Sequence, residues 1–325
     1  MAVITVLGSL NVDMVTVTPR VPEGGETLQA KSFETGWGGK GANQAVAAAR
    51  TSRRKTGPLD SHVVVRMVGA VGDDVFGPQM IKSMARDGID MSGVRTLSDH
   101  KTGTAVILVE QSTGQNRILF TAGANFGIST EMELVKGHDF GHVAIFQLET
   151  PRDVVFHNIK LARAKGAQVI LNPAPAQELP DDIFPELAYL VVNETEAAIV
   201  SGQPSDAVSS SSDLDALAAK FIGKGVKNVI VTLGSEGVYY QTATAASHKQ
   251  PGKRLPAVKA TVVDTTAAGD TFVGAFAVKL AEAARENVGD EADVLDDAIA
   301  FAIRAAGKTV EKAGAQSSIP WLDEL

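Results

Sequence analysis

The chain has 325 residues, no cysteine and a formal net charge of −8. The missing cysteines exclude a disulfide scaffold, a thiolate metal site and a cysteine nucleophile. The negative charge disfavours a nucleic-acid partner, because proteins that bind the phosphate backbone are usually basic.

No stretch of roughly 20 apolar residues that could span a membrane occurs in the sequence. The first seven residues, MAVITVL, lack a basic region and a cleavage site, so they indicate a buried strand and not a signal peptide. We therefore expect no membrane partner and a location in the cytoplasm or the nucleus.

Strand-like runs in the first part of the chain are not followed directly by helical patterns. They include residues 14–17, 104–109 and 118–120, which are rich in β-branched and other apolar residues. These runs predict a small β-sheet that stands off the main body. We expect this lid to be formed by residues 12–36 and 94–122, with boundaries known only approximately.

Beyond residue 140, short β-branched runs alternate with amphipathic stretches. Such alternation predicts an α/β fold, with a doubly wound, mostly parallel sheet flanked by helices. We expect one domain over residues 1–325 that includes the lid as a subdomain. The runs interpreted as strands are residues 143–148, 167–171, 190–192, 229–233 and 260–263.

Two polar segments interrupt the pattern. Thr51–His62 is basic and breaks the path from the helix near residues 40–50 to the next strand. Ser209–Ser212 is a run of four serines. Both compositions are typical of surface loops.

The first polar cluster, Gly8–Asp13, directly follows the first strand, where open α/β sheets place their ligands. In an extended segment, Asn11 and Asp13 point to the same side because side chains alternate along a strand. Their donors and acceptors suit sugar hydroxyls. The alternative is a simple turn in which these side chains bond their own backbone.

The second cluster, Gly36–Ala45, contains a literal G-x-G-x-x-G match. A dinucleotide site would also need a preceding strand of the main sheet and an acid about 20 residues later, in a βαβ unit. Here the only acid at that distance is Asp60, which lies in the inserted loop. We therefore interpret the cluster as a glycine hinge before a helix, with Lys40 and Asn43 directed at a polar ligand.

Two further clusters each follow a predicted strand. Asn193–Glu196 is typical of a helix cap, with an acid three positions after the cap residue. Its functional alternative places Glu196 near a hydrated Mg²⁺ and Asn193 near a phosphate. Thr232–Gly237 is a glycine turn whose hydroxyls and amides could also hold a phosphate or a ribose.

The segment 264–272, DTTAAGDTF, carries the strongest local signal. We expect a strand to end near Val263 and a helix to begin near Ala268. The free amides and the dipole of a helix start favour an anion, and the small residues Ala267–Gly269 would let it approach. Asp270, in the first turn, is either an acid that favours the helix or a base beside the anion site.

These clusters, taken in order, resemble the ribokinase-like carbohydrate kinase family. The resemblance covers nearly the whole chain, from the first strand to Trp321, and the second and last blocks correspond to the two signature regions of that family. The five blocks that carry it are 8–13, 38–45, 172–176, 193–197 and 264–272.

The resemblance implies ATP-dependent phosphorylation of D-ribose at its 5-hydroxyl. It also implies a lid over the sugar and a homodimer formed through the lids. Asp270 corresponds to the general base of the family, and Ala267, Ala268 and Gly269 correspond to its anion hole. The residues that match ribose contacts are Asn11, Asp13, Gly39, Lys40, Asn43, Glu149 and Asp270.

The resemblance extends to the nucleotide and to two kinds of cation. Glu196 matches a contact to Mg²⁺ through water, and a K⁺ ion is implied beside the anion hole. The positions that match nucleotide contacts are Asn193, Thr232, Gly234, Ser235, Gly237 and Gly269. Those that match ligands of the monovalent cation are Asp264, Thr266, Thr309, Lys312, Gly314 and Ser318.

Other substrates and one other class of function stay open. A kinase for deoxyribose, fructose or a nucleoside would keep the same motifs, although Asn11 and Asp13 favour a free pentose. A sugar sensor without catalysis would be expected to lack the base or the anion hole, and both are intact here. Ile303 stands where many relatives have a polar residue near the adenine.

Overall fold

The computed structural model of the protein describes residues 1–56, 61–286 and 291–325. Residues 57–60 of the inserted segment Thr51–His62 lie outside the described residues. The strands are β1 (Ala2–Leu7), β2 (Asn11–Thr18), β3 (Ser32–Gly38), β4 (Val63–Gly72), β5 (Asp90–Leu97), β6 (Gly103–Glu110), β7 (Asn116–Thr121), β8 (Val143–Phe146), β9 (Gln168–Leu171), β10 (Tyr189–Asn193), β11 (Asn228–Thr232), β12 (Val238–Thr242) and β13 (Lys253–Leu255). The α-helices are α1 (Lys40–Thr51), α2 (Phe76–Arg86), α3 (Arg152–Ala164), α4 (Glu194–Val200), α5 (Leu214–Gly223), α6 (Ala243–Ser247), α7 (Ala268–Glu286) and α8 (Glu291–Thr309).

Nine strands form the main sheet, in the order β13-β12-β11-β10-β9-β8-β1-β4-β5. The strands from β11 to β5 in this order run parallel, whereas the pairs β11–β12 and β12–β13 are antiparallel, so β12 runs opposite to the other strands. The order grows outward from β1 in both directions, which makes the sheet doubly wound. The predicted α/β architecture is therefore confirmed.

Helices cover both faces of this sheet and create two apolar cores. Ile4 of β1 and Phe276 of α7 belong to the core beneath α1, α2, α7 and α8. Leu7 of β1 and Phe221 of α5 belong to the opposite core, beneath α3, α4 and α5. The near-continuous apolar sequence of the central strands follows from this burial on both sides.

The lid is a separate four-stranded sheet in the order β3-β2-β6-β7. Its first two strands lie between β1 and α1 in the chain, so the lid is inserted into the first βαβ unit. The second lid segment begins at Gly103 and not near residue 94. Residues 94–97 belong to β5, where Met91 and Val94 pack against the main core.

The strand expected at residues 260–263 is absent from the described structure. Val262 and Val263 are 64% and 61% exposed, and this segment pairs with no strand. Val262 lines a cavity, and the Val263 amide donates to the Val310 carbonyl at 2.8 Å. The prediction was wrong because this β-branched run forms a cavity wall and not the interior of a sheet.

None of the helices in the described parts of the chain is long and apolar enough to cross a lipid bilayer.

Candidate active site

The helix α7 begins at Ala268, as the sequence predicts, although no strand directly precedes it in the described chain. Ala267 adopts a left-handed conformation, with φ of 61°. The Ala268 amide donates to the Thr265 carbonyl at 3.2 Å, whereas Gly269 and Asp270 find no backbone acceptor within the described residues. The Ala267 amide likewise donates to no acceptor within the described residues, so the amides available to an anion are those of Ala267, Gly269 and Asp270. Of the expected set 267–269, Ala268 is the residue whose amide is already used in a hydrogen bond of the protein.

A cavity of about 740 Å³ opens in front of this helix start. Polar groups that follow β10 and β11 line one part, and apolar side chains, among them Ile303, line the rest. The volume and this division suit a nucleotide, with its base against the apolar wall and its phosphates near α7. All six residues predicted to contact the nucleotide line this cavity: Asn193, Thr232, Gly234, Ser235, Gly237 and Gly269.

Asp270 is buried, with 8% of its surface exposed, and both of its carboxylate oxygens accept hydrogen bonds. The amide nitrogens of Asn43 and Gln44 each donate to one oxygen at 2.9 Å. The approach of α1 that makes this possible depends on Gly274, one turn after Asp270. A Cβ atom there would lie 2.5 Å from the Gln44 carbonyl oxygen, a distance that real structures do not show.

Polar side chains of the lid and of the main body meet on the other side of Asp270. The Asn11 carbonyl oxygen accepts a hydrogen bond from the Asn125 amide at 2.7 Å. One oxygen of Glu149 accepts from the Ser9 hydroxyl at 2.5 Å and from the Lys40 backbone at 3.0 Å. Asn11 is the first residue of β2 and therefore lies in a strand and not in the simple turn considered for it, whereas Glu149 lies in a bend that follows β8.

Asp13 occupies space that Gly38 leaves open beside it. A Cβ atom at position 38 would lie 2.2 Å from a carboxylate oxygen of Asp13. Burial raises the pKa of Asp13 to about 7, and the negative charges of Glu149 and Asp270 add to this effect. The Asp13 carboxyl therefore has a pKa close to neutral pH.

Lys40 supplies positive charge in this acidic surrounding. Burial acts to lower the pKa of Lys40, but nearby carboxylates, above all Asp270, raise it beyond its ordinary value. The side chain therefore stays charged at neutral pH. Its interaction with Glu149 and Glu196 as well as Asp270 places this one cation between the polar pocket and the large cavity.

Asn193 and Glu196 form a capping box at the start of α4. The Asn193 side chain accepts from the Glu196 amide at 2.8 Å, and the Glu196 carboxylate accepts from the Asn193 amide at 2.9 Å. Burial raises the pKa of Glu196, against the effect of that backbone hydrogen bond. The predicted capping role is therefore present, and it leaves a carboxylate beside the cavity.

The segments before α7 and after α8 meet at Asp264. One oxygen of Asp264 accepts from the Thr266 amide and hydroxyl at 2.9 Å and 2.6 Å, and the other accepts from the Gly314 amide at 2.9 Å. The Lys312 ammonium lies 2.8 Å from a Glu324 carboxylate oxygen, so its charge is already paired. Thr309 and Ser318 lie in the adjoining segments.

In the parts of the chain that the structure covers, no group of three His, Cys, Asp or Glu side chains is arranged to hold a metal ion. The junction at Asp264 instead offers a carboxylate, hydroxyls and backbone carbonyls, which are the hard oxygen donors that alkali and alkaline-earth cations prefer. The residues present thus fit K⁺ at this junction. The single carboxylate of Glu196 fits Mg²⁺ that keeps most of its water ligands.

Comparison with known proteins decides the family. The model of the pfkB family carbohydrate kinases matches residues 1–322. The chain belongs to this family. The resemblance noted from the five sequence blocks is thereby confirmed, as is the predicted enzyme class, a phosphotransferase that acts on a carbohydrate.

Several relatives cover almost the full length of this family member. A ribokinase of Schizosaccharomyces pombe is 42% identical over 327 residues, which is 99% of this chain and 96% of that protein. A deoxyribokinase of Salmonella typhi is 35% identical over 325 residues, 99% of this chain and 97% of that protein. The structure of Arabidopsis thaliana ribokinase with ribose and ATP has a TM-score of 0.83 at 30% identity, covering 99% of this chain and 96% of that one.

Sequence analysis assigned no role to several side chains of the site. Gln44 and Asn172 lie in the blocks that resemble the family, but nothing in their spacing indicates that Gln44 donates to both Asp270 and Asn172. Gln147 and Asn125 are buried amides from distant parts of the chain, with 1% and 0% of their surface exposed. Each of them lies about one hundred residues or more along the chain from its hydrogen-bond partner, so no local pattern reveals the contact.

The raised pKa of Asp13 predicts a stability that depends on pH. Its folded-state pKa of about 7 lies above the ordinary value of 3.8, so its contribution to stability falls as the pH rises from 4 to 7. We expect Asp13→Asn to raise the melting temperature by several degrees more at pH 8 than at pH 5, as measured by calorimetry.

Asp74→Asn is the matched control for this experiment. Burial opposes a low pKa at Asp74, but hydrogen bonds, first from Thr102, hold it below the ordinary value. That carboxyl is ionised in both the folded and the unfolded state at pH 5 and pH 8, so its melting-temperature change should be equal at the two pH values. Equal changes for Asp13→Asn as well would contradict the assignment.

Proposed function

We propose that this protein transfers the γ-phosphoryl group of ATP to the 5-hydroxyl of D-ribose. The observation that carries the proposal is the position of Asp270, a buried carboxylate that directly follows Gly269 of the nucleotide-sized cavity. Asp270 is also close enough to Asp13 for its negative charge to raise the pKa of that carboxyl. Its place at the start of α7 puts a carboxylate next to free backbone amides. The ribokinase from Schizosaccharomyces pombe and the Arabidopsis complex with ribose and ATP support the choice of substrates.

In the proposed mechanism, Asp270 orients the sugar hydroxyl and accepts its proton as the oxygen attacks the γ-phosphorus in line. An alcohol is a far weaker acid than a carboxylic acid, so the proton moves late. Most of the acceleration then comes from positioning and from stabilisation of charge. The Gly269 and Asp270 amides and the Lys40 ammonium supply that stabilisation, and the lid excludes water that would compete with the sugar.

Two cations are part of the proposal. Mg²⁺, held through water by Glu196, neutralises phosphate charge when it is bound. K⁺ would occupy the junction of the segments before α7 and after α8 and order the turn that presents the amides. Its ligands would be drawn from Asp264, Thr266, Thr309, Lys312, Gly314 and Ser318.

Deoxyribose is the alternative substrate, because the deoxyribokinase of Salmonella typhi matches the chain over nearly the same length. One missing hydroxyl need not alter any of the motifs. Ribose is favoured by the number of polar groups in the pocket: a site built to bond a hydroxyl is left with unpaired groups when that hydroxyl is absent.

The first test measures ATP-dependent turnover of D-ribose beside 2-deoxyribose, fructose and adenosine, each with and without K⁺. We expect ribose to have the highest kcat/KM, and K⁺ to increase it, because the cation orders the turn before α7. Turnover of another sugar alone would refute the substrate. Binding of ribose without any turnover would identify a sensor, and an equal rate without K⁺ would remove the cation from the proposal.

The role of Asp270 as a base predicts a specific defect in Asp270→Asn. We expect kcat to fall by at least about 100-fold, since general-base catalysis typically contributes this much. Calorimetric affinities for ribose and ATP should stay close to those of the unaltered protein, because the amide keeps the size of the carboxylate. Turnover near the normal level would exclude Asp270 as the base.

A homodimer formed through the lid is a further part of the proposal. The lid exposes large apolar side chains that a single chain leaves in water: Phe33 is 62%, Ile118 56% and Leu119 69% exposed. Large apolar side chains left exposed in this number are typical of a protein interface. They lie on β3 and β7, the two edge strands of the lid.

Sedimentation velocity at micromolar concentration tests this dimer. We expect the protein to sediment as a dimer and Leu119→Asp to shift it to the monomer, because a charge would be buried at the interface. Val75→Asp is the matched control, as Val75 is 65% exposed at the start of α2, outside the lid. A monomer for the unaltered protein would overturn this part of the proposal.

A further inference from the structure

A chain of buried amide side chains leads away from Asp270. Gln147 donates to the Gln44 carbonyl oxygen at 2.7 Å. Gln44 donates to Asp270 at 2.9 Å and to the Asn172 carbonyl oxygen at 3.1 Å. These three residues, Gln147, Gln44 and Asn172, are called the amide chain below.

In each amide of this chain, the positions of the nitrogen and the oxygen are determined by neighbouring groups that can only accept hydrogen bonds. The Asp270 carboxylate accepts only, so the nitrogen of Gln44 must face it. The oxygen of Gln44 then faces Gln147, whose nitrogen must be the donor. Asn172 is fixed in the same way, because its nitrogen lies 3.0 Å from the Val191 carbonyl oxygen and 3.4 Å from Glu196.

Both protons of the Gln44 nitrogen are used, one by Asp270 and the other by Asn172. Gln44 is completely buried and Gln147 is 1% exposed, so water does not replace these partners. A turned Gln44 would bring its oxygen against the carboxylate and lose both hydrogen bonds. Loss of hydrogen bonds by buried polar groups is unfavourable in free energy, so the side chain of Gln44 has one well-defined orientation.

We propose that Gln44 is a positioning residue for the phosphoryl transfer: it fixes the orientation of the Asp270 carboxylate, and Gln147 fixes Gln44. This inference rests on the proposed function, since it takes Asp270 as the base. Gln44 does not touch the sugar. Gln44 holds one carboxylate oxygen of Asp270, and Asn43 holds the other. Together they orient the carboxylate so that it presents a lone pair to the attacking hydroxyl.

The amide chain also connects the two halves of the site. Asn172 links Gln44 to Glu196, the carboxylate beside the nucleotide cavity. Asp270, the proposed base, and Glu196, the carboxylate proposed to bind Mg²⁺ through water, are therefore joined by a continuous series of hydrogen bonds. A fixed distance between them helps to keep the acceptor hydroxyl and the phosphates in line.

The test compares Gln44→Met with the unaltered protein. Methionine has nearly the same length and volume but no amide, so it removes the hydrogen bonds with little change in packing. We expect kcat with the preferred sugar to fall roughly 10- to 100-fold, as for the loss of a hydrogen bond to a charged group. The calorimetric affinity for that sugar should change less than about threefold, because Gln44 makes no contact with it.

A double-mutant cycle shows whether Gln44 acts through Asp270. In the Asp270→Ala background there is no carboxylate to orient, so adding Gln44→Met should change the residual rate less than about twofold. The same loss in both backgrounds would mean a general structural effect and would overturn the proposal. A kcat within about twofold of the unaltered protein for Gln44→Met alone would also overturn it.

Gln241→Met is the matched control, because Gln241 is another buried glutamine with two hydrogen-bond partners, Tyr239 and the Gln250 carbonyl. It lies in β12, outside the amide chain, so its loss should lower the melting temperature without changing kcat. An equal fall in kcat for Gln241→Met would show that loss of a buried amide is enough by itself, and would overturn the proposal.

Gln147→Met takes the place of Gln44→Met if the latter does not fold. It keeps the Gln44 side chain but removes the donor that sets its direction, so we expect a smaller fall in kcat that again disappears in the Asp270→Ala background. A fall that persists there overturns the proposal. Failure of the proposed function can be told apart from failure of this inference, because the unaltered protein would then not phosphorylate ribose. The double-mutant cycle is run with the sugar that the unaltered protein does phosphorylate.

Discussion

The close contact between α1 and α7 is the constraint on which the site depends. Gly274 lets the backbone of α1 approach α7 at a distance that no side chain would allow. That approach brings the amides of Asn43 and Gln44 within 2.9 Å of Asp270. The helix that carries the carboxylate and the helix that holds it are thus locked together by backbone packing, and the polar geometry follows from an apolar contact.

The electrostatics of the site oppose stability. Three acidic groups, Asp270, Glu149 and Glu196, act on the buried cation Lys40. Burial of a carboxylate is unfavourable, and repulsion from neighbouring carboxylates adds to the cost; both effects raise the pKa of Asp13 to about 7. Functional sites commonly keep such groups at a cost to stability, which the two large cores on either side of the sheet offset.

The fold could be predicted from the sequence wherever one segment contained its own signal. β8 to β11 are apolar runs buried on both faces, and the helix start at Ala268 follows from small residues before an amphipathic pattern. The run 260–263 shows the limit, because β-branched residues at a cavity wall and in a sheet look alike. The lid boundary near residue 94 failed for a related reason: Val94 is half-buried against the main core and not in the lid.

The residues of the site could likewise be predicted only where a short motif contains them. Asn11, Lys40, Asn193 and Asp270 stand in short motifs, so their convergence could be expected from the rule that ligands bind at the carboxyl ends of parallel strands. Gln147 and Asn125 stand in no motif. Their partners, Gln44 and Asn11, come close to them because strands and helices that are distant along the chain pack together. Such contacts depend on tertiary packing, which one sequence does not reveal.

The insertion of the lid between β1 and α1 has a mechanical consequence. Only Gly8, Ser9 and Leu10 separate β1 from β2, and Gly39 alone separates β3 from α1. These two connections of β2 and β3 to the main body are therefore too short to act as free linkers. A tilt of the lid must move Asn11 and Asp13 with it, so opening the pocket to water and releasing the bound molecule are one and the same motion.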